Sequence, residues 1–211
     1  MGDLLLQTSR FTGVEMISPT HVRVGAGVTL HELDATLARV GAYYPPAPTF
    51  TGATVGGTVA TNAAGAATFK YGTTRQWVEG LTVVLATGDV LDVRRGEARA
   101  HPDGYFDLDL AGGMVRVPVP HLAMPAVPKL SAGYYSAPGM DLVDLFIGAE
   151  GTLGVVTAAT LRVVPKRPAH CLAFVPFADR KVAMTIVRRM QDEAKLAQPT
   201  PDVVLYGVSA I

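Results

Sequence analysis

Short alternating stretches and short helical-period stretches share this chain, punctuated by frequent glycine and proline, and together they predict an α+β architecture. His21-Val22-Arg23-Val24 alternates polar and apolar positions, the period of a half-buried strand. Residues 3–18 ahead of it predict two short strands around Thr12-Gly13, closed by the turn Ser18-Pro19-Thr20. Thr29-x-x-Glu32 has capping-box spacing, and Leu30, Leu33, Leu37 and Val40 recur at helical intervals, so a helix should run to Gly41. Residues 43–69 read as loop with room for one short helix. A strand over 81–86 turns at Thr87-Gly88-Asp89 into a second strand over 90–93. Residues 95–140 read as a long irregular insertion. Asp141 can cap a short helix over 142–146, and the β-branched alternation of 154–164 predicts a strand.

Residues 165–168 look like a boundary. Beyond them the pattern predicts a strand at 171–175, an amphipathic helix at 178–197 with Ala183, Ile186, Met190 and Ala194 on one face, and a strand at 203–206. This gives two units, 1–168 and 169–211. A lone β-α-β leaves one face of its strands uncovered, so the second unit is expected to continue in another segment or chain.

Composition narrows the function classes. The 211 residues carry 18 Lys+Arg against 18 Asp+Glu, a formal charge of zero, which argues against a nucleic-acid binder. Apolar residues make up 49% and charged residues 17%, which excludes intrinsic disorder. Mean hydropathy is +0.28, yet no window approaches the apolar run of a membrane span. No secretory leader is legible in the first residues, and the single cysteine, Cys171, excludes an internal disulfide and a cysteine zinc site. A cytoplasmic chain with no transmembrane segment is the resulting expectation. Cys171, on a predicted buried strand, reads as an inert core residue.

Gly25-Ala26-Gly27 lies between a strand and a helix and invites a dinucleotide-fold reading. It fails, because the third glycine position is Leu30 and no acidic residue occurs between Asp34 and Glu79 to hold a ribose. A tight strand-to-helix connection explains these glycines.

The strongest signal is a ribbon without charge. From Val40 to Phe69 there are 30 residues without Asp, Glu, Lys, Arg or His, where about five would be expected from the chain's own frequency. The stretch is not greasy: between Thr49 and Phe69 lie six Thr, four Gly, six Ala and one Asn. Small residues let a ligand approach the backbone, and neutral N–H and hydroxyl donors suit a pyrophosphate without burying a cation. The first charges after it, Lys70 and Arg75, are basic. A tightly packed Gly/Ala turn region with no ligand accounts for the same composition. A second candidate is Glu150-Gly151-Thr152-Leu153-Gly154-Val155, where a two-glycine turn enters a strand and backbone at Gly154 and Val155 could face a flat heterocycle. An ordinary turn is the simpler reading of that segment taken alone.

Other features carry less. His21, His31, His101, His121 and His170 show no metal spacing, no serine has a nucleophile-elbow context, and no metal is assigned. Asp107 and Asp109 read as solvating charges, and Tyr71, Trp77, Tyr134 and Tyr135 as core or edge aromatics.

Taken together, Pro45-Pro46-Ala47-Pro48-Thr49, Ala53-Thr54-Val55-Gly56-Gly57 through Thr61-Asn62-Ala63-Ala64-Gly65, Lys70-Tyr71-Gly72-Thr73-Thr74-Arg75, Val78-Glu79-Gly80-Leu81 and the run from Phe146 to Thr157 resemble the flavin domain of FAD-linked oxidases. This is the vanillyl-alcohol-oxidase-like (PCMH-type) fold, in the branch of glycolate oxidase subunits and D-lactate dehydrogenases. The resemblance covers residues 1–168, a partial FAD-binding domain, and 169–211 look like the opening of a ferredoxin-like substrate (cap) domain. It implies an FAD-dependent dehydrogenase or oxidase that moves a hydride from a 2-hydroxy acid or similar alcohol to FAD. The cofactor would be lined by Pro48, Thr49, Thr51, Ala53, Thr54, Gly56, Gly57, Thr61 and Asn62, with Glu150, Gly154 and Val155 from the second motif.

The family's N-terminal Arg-Gly-Gly-Gly-type phosphate-loop subdomain has no counterpart text here, nor has the part of the cap that supplies catalytic residues in relatives. The resemblance therefore implies an incomplete enzyme with no catalytic residue to name. A non-catalytic FAD-binding module, or a subunit lending half a flavin site to a partner, is the alternative, and either invites a partner subunit or self-association.

Overall fold

Alternating β-branched runs assemble into an antiparallel sheet in the computed structural model, which describes residues 5–46, 48–65, 68–127, 130, 134–166 and 175–196. In chain order the elements are β1 (Val14–Ser18), β2 (His21–Gly25), α1 (Leu30–Arg39), β3 (Ala42–Tyr43), α2 (Val55–Ala60), α3 (Thr68–Tyr71), a 3₁₀ turn (Thr74–Trp77), β4 (Val78–Val84) and β5 (Val90–Arg94). There follow β6 (Tyr105–Leu110), β7 (Gly113–Pro118), α4 (Leu142–Phe146), β8 (Val155–Arg162), β9 (Val164–Pro165) and α5 (Arg180–Leu196).

The main sheet has the order β1-β2-β8-β4-β5 with every neighbour antiparallel. The latest of these strands in the chain thus lies in the middle. Its register, Leu161 opposite Val22 and Ala159 opposite both Val24 and Leu81, puts these side chains on one face. All are buried, together with Val83 and Val93. Helices α2 and α4 cover that face through Val55, Val59, Val143 and Phe146, and Leu33 and Leu37 of α1 join the same core. Burial of each such aliphatic side chain contributes about 1.5 to 3 kcal/mol, so the closing of β8 between β2 and β4 is strongly driven. The opposite face carries Arg23, Thr82 and Asp92, joined by a hydrogen bond from Arg23 to Thr82 (2.7 Å) and another from Thr82 to Asp92 (2.6 Å).

Several expectations hold. The capping box at α1 is complete: the Glu32 amide donates to Thr29 Oγ1 at 3.2 Å and the Thr29 amide to Glu32 Oε2 at 2.9 Å. The strands at β2, β4, β5 and β8 and the Asp141 cap of α4 form as predicted. Trp77 is a core aromatic, edge-to-face with Tyr44 and Tyr71.

Three differ. Residues 5–13 form no strand, so the N-terminal pair is a single β1. Gly25 and Gly27 explain why. A Cβ on Gly25 would lie 2.2 Å from the Phe11 carbonyl oxygen and one on Gly27 would lie 2.4 Å from that of Thr8, so the early segment is pressed against this connection rather than extended. The insertion also contains a hairpin, β6–β7. The alternation Phe106-Asp107-Leu108-Asp109-Leu110 and the Ala111-Gly112-Gly113 turn were its signals. Asp107 is not merely solvated: it takes a two-toothed ion pair from Arg116 (2.8 and 3.1 Å), whose guanidinium sits 3.7 Å from the Tyr105 ring centre. Finally, the predicted strand at 171–175 lies outside the described residues except Val175, as do Cys171, His170 and the strand at 203–206, while the intervening helix is present as α5.

Candidate functional site

The charge-free ribbon is fastened to the sheet end through its own backbone. Thr54 caps α2, and the first three amides of that helix are consumed internally. Val55 donates to Val28 O (2.8 Å), Gly56 to Ala26 O (2.8 Å) and Gly57 to Thr54 Oγ1 (3.2 Å). The preceding residues run along the start of α1, with Leu30 N–H on Ala53 O and His31 N–H on Thr51 O. Gly56 is required by space, since a Cβ there would lie 2.7 Å from Ala26 Cβ. At Gly57 the same atom would meet only Thr54 Oγ1, at 3.2 Å, and the residue is exposed.

The second motif docks onto the other end of α2. Gly148 N–H donates to Val59 O (3.0 Å) and Glu150 N–H to Ala60 O (2.9 Å). Ala26, the residue that holds Gly56, donates its own N–H to Thr157 O of β8 (2.9 Å). The ribbon and the corner before β8 therefore share one end of the sheet. Gly154 itself is pressed on β4, where a Cβ would come within 2.9 Å of Val84 O, and Val155 pairs with Val84. Of the candidate residues, Thr49, Thr51, Gly57, Thr61 and Glu150 are exposed. Pro48, Ala53, Thr54, Gly56, Gly154 and Val155 are half-buried and Asn62 is buried. Asn62 and Glu150 adopt left-handed backbone, φ 45° and 51°. For Asn this costs little; for Glu it stores strain.

Beneath both segments lies a charge cluster that the sequence patterns do not reveal. Asp144, inside the otherwise apolar helix α4, takes ion pairs from Arg75 (3.2 Å) and Arg95 (3.0 Å). The side chains of Arg75 and Asp144 are only 13% and 11% exposed, so this is an interior pair and not a solvated one. Burial pulls the Arg75 guanidinium below the ordinary arginine range, against the opposing charge of Asp144. For Arg95, burial is the largest single influence, but the Asp144 hydrogen bonds and charge outweigh it and hold this arginine above that range. The opposite directions follow from depth, since Arg95 is 28% exposed. Arg75 N–H also donates to Asn62 Oδ1 (3.0 Å), and Asn62 Nδ2 donates to Leu130 O (3.2 Å). The available signal was a carboxylate in the middle of Leu142-Val143-Asp144-Leu145-Phe146, which has to be paired if that face is buried.

A family model described as an FAD binding domain matches residues 1–94. The D-lactate dehydrogenase of Archaeoglobus fulgidus is 35% identical over 185 residues, 87% of this chain and 34% of that protein. The glycolate oxidase subunit GlcD of Bacillus subtilis is 34% identical over 144 residues, 68% of this chain and 23% of that protein. Over the part it spans, the chain belongs to the family of FAD-linked oxidases. It spans about a third of the length of the first of these relatives and less of the second. Among solved structures, an alkyldihydroxyacetonephosphate synthase superposes with a TM-score of 0.52 at 21% identity, covering 76% of this chain and 24% of that one, which shows the fold alone. The α+β architecture is thus that of the vanillyl-alcohol-oxidase-like flavin domain.

The donor set of this FAD-linked oxidase domain fits a diphosphate-bearing cofactor, though not through the helix terminus. The α2 amides are spent, and the Thr61 hydroxyl proton is spent on Gly57 O (2.9 Å). The hydroxyls of Thr49, Thr51 and Thr54 and the amides of Thr51 and Gly52 have no internal acceptor among the described residues. These are neutral donors on a rim whose ribbon bears no carboxylate, and exposed Phe50, 73% accessible, adds an apolar ring beside them. Glu150 is the one carboxylate on the docked corner. Among the described residues no helix is long and apolar enough to cross a membrane.

Proposed function

We propose that this chain is the FAD-binding portion of a flavin-dependent oxidoreductase acting on a 2-hydroxy acid or similar alcohol. The observation that carries the reading is the pair of hydrogen bonds from Gly148 and Glu150 to the carbonyls of Val59 and Ala60. They join two segments for which a shared ligand gives a reason to meet: a charge-free Thr/Gly/Ala ribbon and a two-glycine corner. Held by the Thr49–Asn62 ribbon and the Glu150–Val155 corner, FAD would supply the hydride acceptor for oxidation of a hydroxyl-bearing carbon.

The protein's part is to bind and orient. Thr49, Thr51 and Thr54 donate to the diphosphate, and Gly57 keeps the ribbon low enough for approach. Pro48, Ala53, Gly56, Thr61 and Asn62 shape the ribbon wall, and Glu150, Gly154 and Val155 the facing corner. Residues 1–168 form the flavin unit, and 169–211 open a substrate unit. D-lactate and glycolate, the acids in the relatives' names, are the first substrates to try. A partner subunit is part of the same proposal, since one relative is itself a subunit.

The test is a titration of the purified 211-residue chain with FAD, followed by absorbance and by quenching of flavin fluorescence. D-lactate or glycolate and a dye acceptor are then added. Saturable binding with bleaching of the flavin band supports the whole reading. Binding without bleaching leaves a cofactor-binding module, and absence of binding removes the flavin assignment.

A further inference from the structure

We propose that Arg75 is the positioning residue of this site, one guanidinium fixing the distance between the ribbon and the corner. The proposal rests on the cofactor reading only for the ligand concerned, not for the anchoring. Arg75 sits at the start of the 3₁₀ turn, and its main chain and side chain reach different walls. Its N–H holds Asn62, which ends the ribbon helix in left-handed backbone. Its guanidinium donates from Nη1 to Asp144 O (2.6 Å) and Oδ1 (3.2 Å), and from Nη2 to Ile147 O. Ile147 is the residue after α4, immediately before the Gly148 and Glu150 amides that land on α2.

Arg75 is held from two further sides, one at the fork and one at its main chain. The Tyr135 ring centre lies 4.3 Å from Arg75 Cζ, and Arg95 donates to the Arg75 carbonyl at 3.2 Å. Tyr134, next to Tyr135, meets Thr152 Oγ1 at 2.7 Å and so ties the same loop to the far side of the corner. A lysine keeps the charge opposite Asp144 but has no rigid fork to serve Asp144 O and Ile147 O together. Sites held to within a fraction of an ångström depend on such supporting contacts.

Two readouts test this. Amide hydrogen exchange on the chain without ligand should show Gly148 and Glu150 exchanging at least tenfold faster in R75K than in the parent. Amides within the sheet, such as Ala159 and Leu81, should keep their protection. Tyr135→Leu, which removes only the stacking partner, should move the same two amides in the same direction by a smaller factor, and it carries the test if R75K does not fold. The proposal is overturned if Gly148 and Glu150 keep parental rates, or if every amide accelerates together, as mere loss of stability would produce. In FAD titrations at a temperature where all variants are folded, R75K should raise Kd at least tenfold. Leu37→Ala, a core change far along α1, should leave it within twofold. Equal Kd values for R75K and the parent overturn the positioning role. If the parent binds no FAD while exchange is accelerated selectively, the anchor stands and the cofactor reading falls.

Discussion

Adjacent glycines in α2 are set to fail in opposite ways. Alanine at either position gains about 1 kcal/mol of helix propensity over glycine. At Gly56 the new methyl would lie 2.7 Å from Ala26 Cβ and 3.0 Å from Ala26 O. Ala26 cannot retreat cheaply, because its carbonyl accepts the Gly56 amide and its own amide is held by Thr157 O of the central strand. Overpacking against fixed backbone costs about 1 to 3 kcal/mol, and here the two anchored bonds place it at the upper end. Net of the propensity gain, Gly56→Ala should lose about 2 kcal/mol. In a domain of this size that lowers Tm by about 4 to 8 °C. At Gly57 the methyl meets only Thr54 Oγ1 at 3.2 Å, the acceptor of the helix cap. Slight lengthening of that cap offsets about half of the propensity gain, so Gly57→Ala should stay within about 0.5 kcal/mol of the parent. It does, however, put a methyl on the exposed side of the ribbon, and FAD affinity should fall at least tenfold. Urea unfolding and FAD titration of both variants make the comparison. Equal stability of Gly56→Ala and the parent would refute the packing argument, and unchanged affinity in Gly57→Ala would refute the assignment of that face to the ligand.

Asp144→Asn keeps shape but strands two interior arginines, so stability should fall by about 3 to 5 kcal/mol in urea unfolding; a loss under about 1 kcal/mol would mean solvent already screens the cluster. Glu150→Gly relieves left-handed backbone and removes the corner's carboxylate. It should raise stability by about 0.5 kcal/mol net of glycine's greater unfolded freedom and tighten FAD binding; a lower Tm would show the carboxylate to be structural. Glu32 is held below the ordinary carboxylate range, first by the Thr29 amide and then by the Thr29 hydroxyl. Its contribution is therefore complete above the unfolded-state value of about 4.3 and is lost as pH falls through the lower folded-state value. The Tm gap between the parent and Glu32→Gln should be constant from pH 7 to 5 and close at more acid pH, and a gap that widens on acidification would contradict the capping geometry.

Local rules determined a good deal of this protein. The Thr29-x-x-Glu32 box, the Asp141 cap and the period-2 runs of β2, β4, β5 and β8 each depend on neighbours within a few residues, so they were legible in the chain. The charge-free ribbon was legible too, because the requirement for neutral small residues is compositional. Tertiary structure decided what those segments touch. That β8 lies between β2 and β4, that Ala26 is what makes Gly56 obligatory, and that the Val55 and Gly56 amides are consumed by Val28 and Ala26 all depend on residues brought together from far along the chain. The Arg75–Asp144–Arg95 cluster belongs with them. A charge in a sequence reads as solvated until packing removes the water around it, and only the closed fold shows that these three have one another instead.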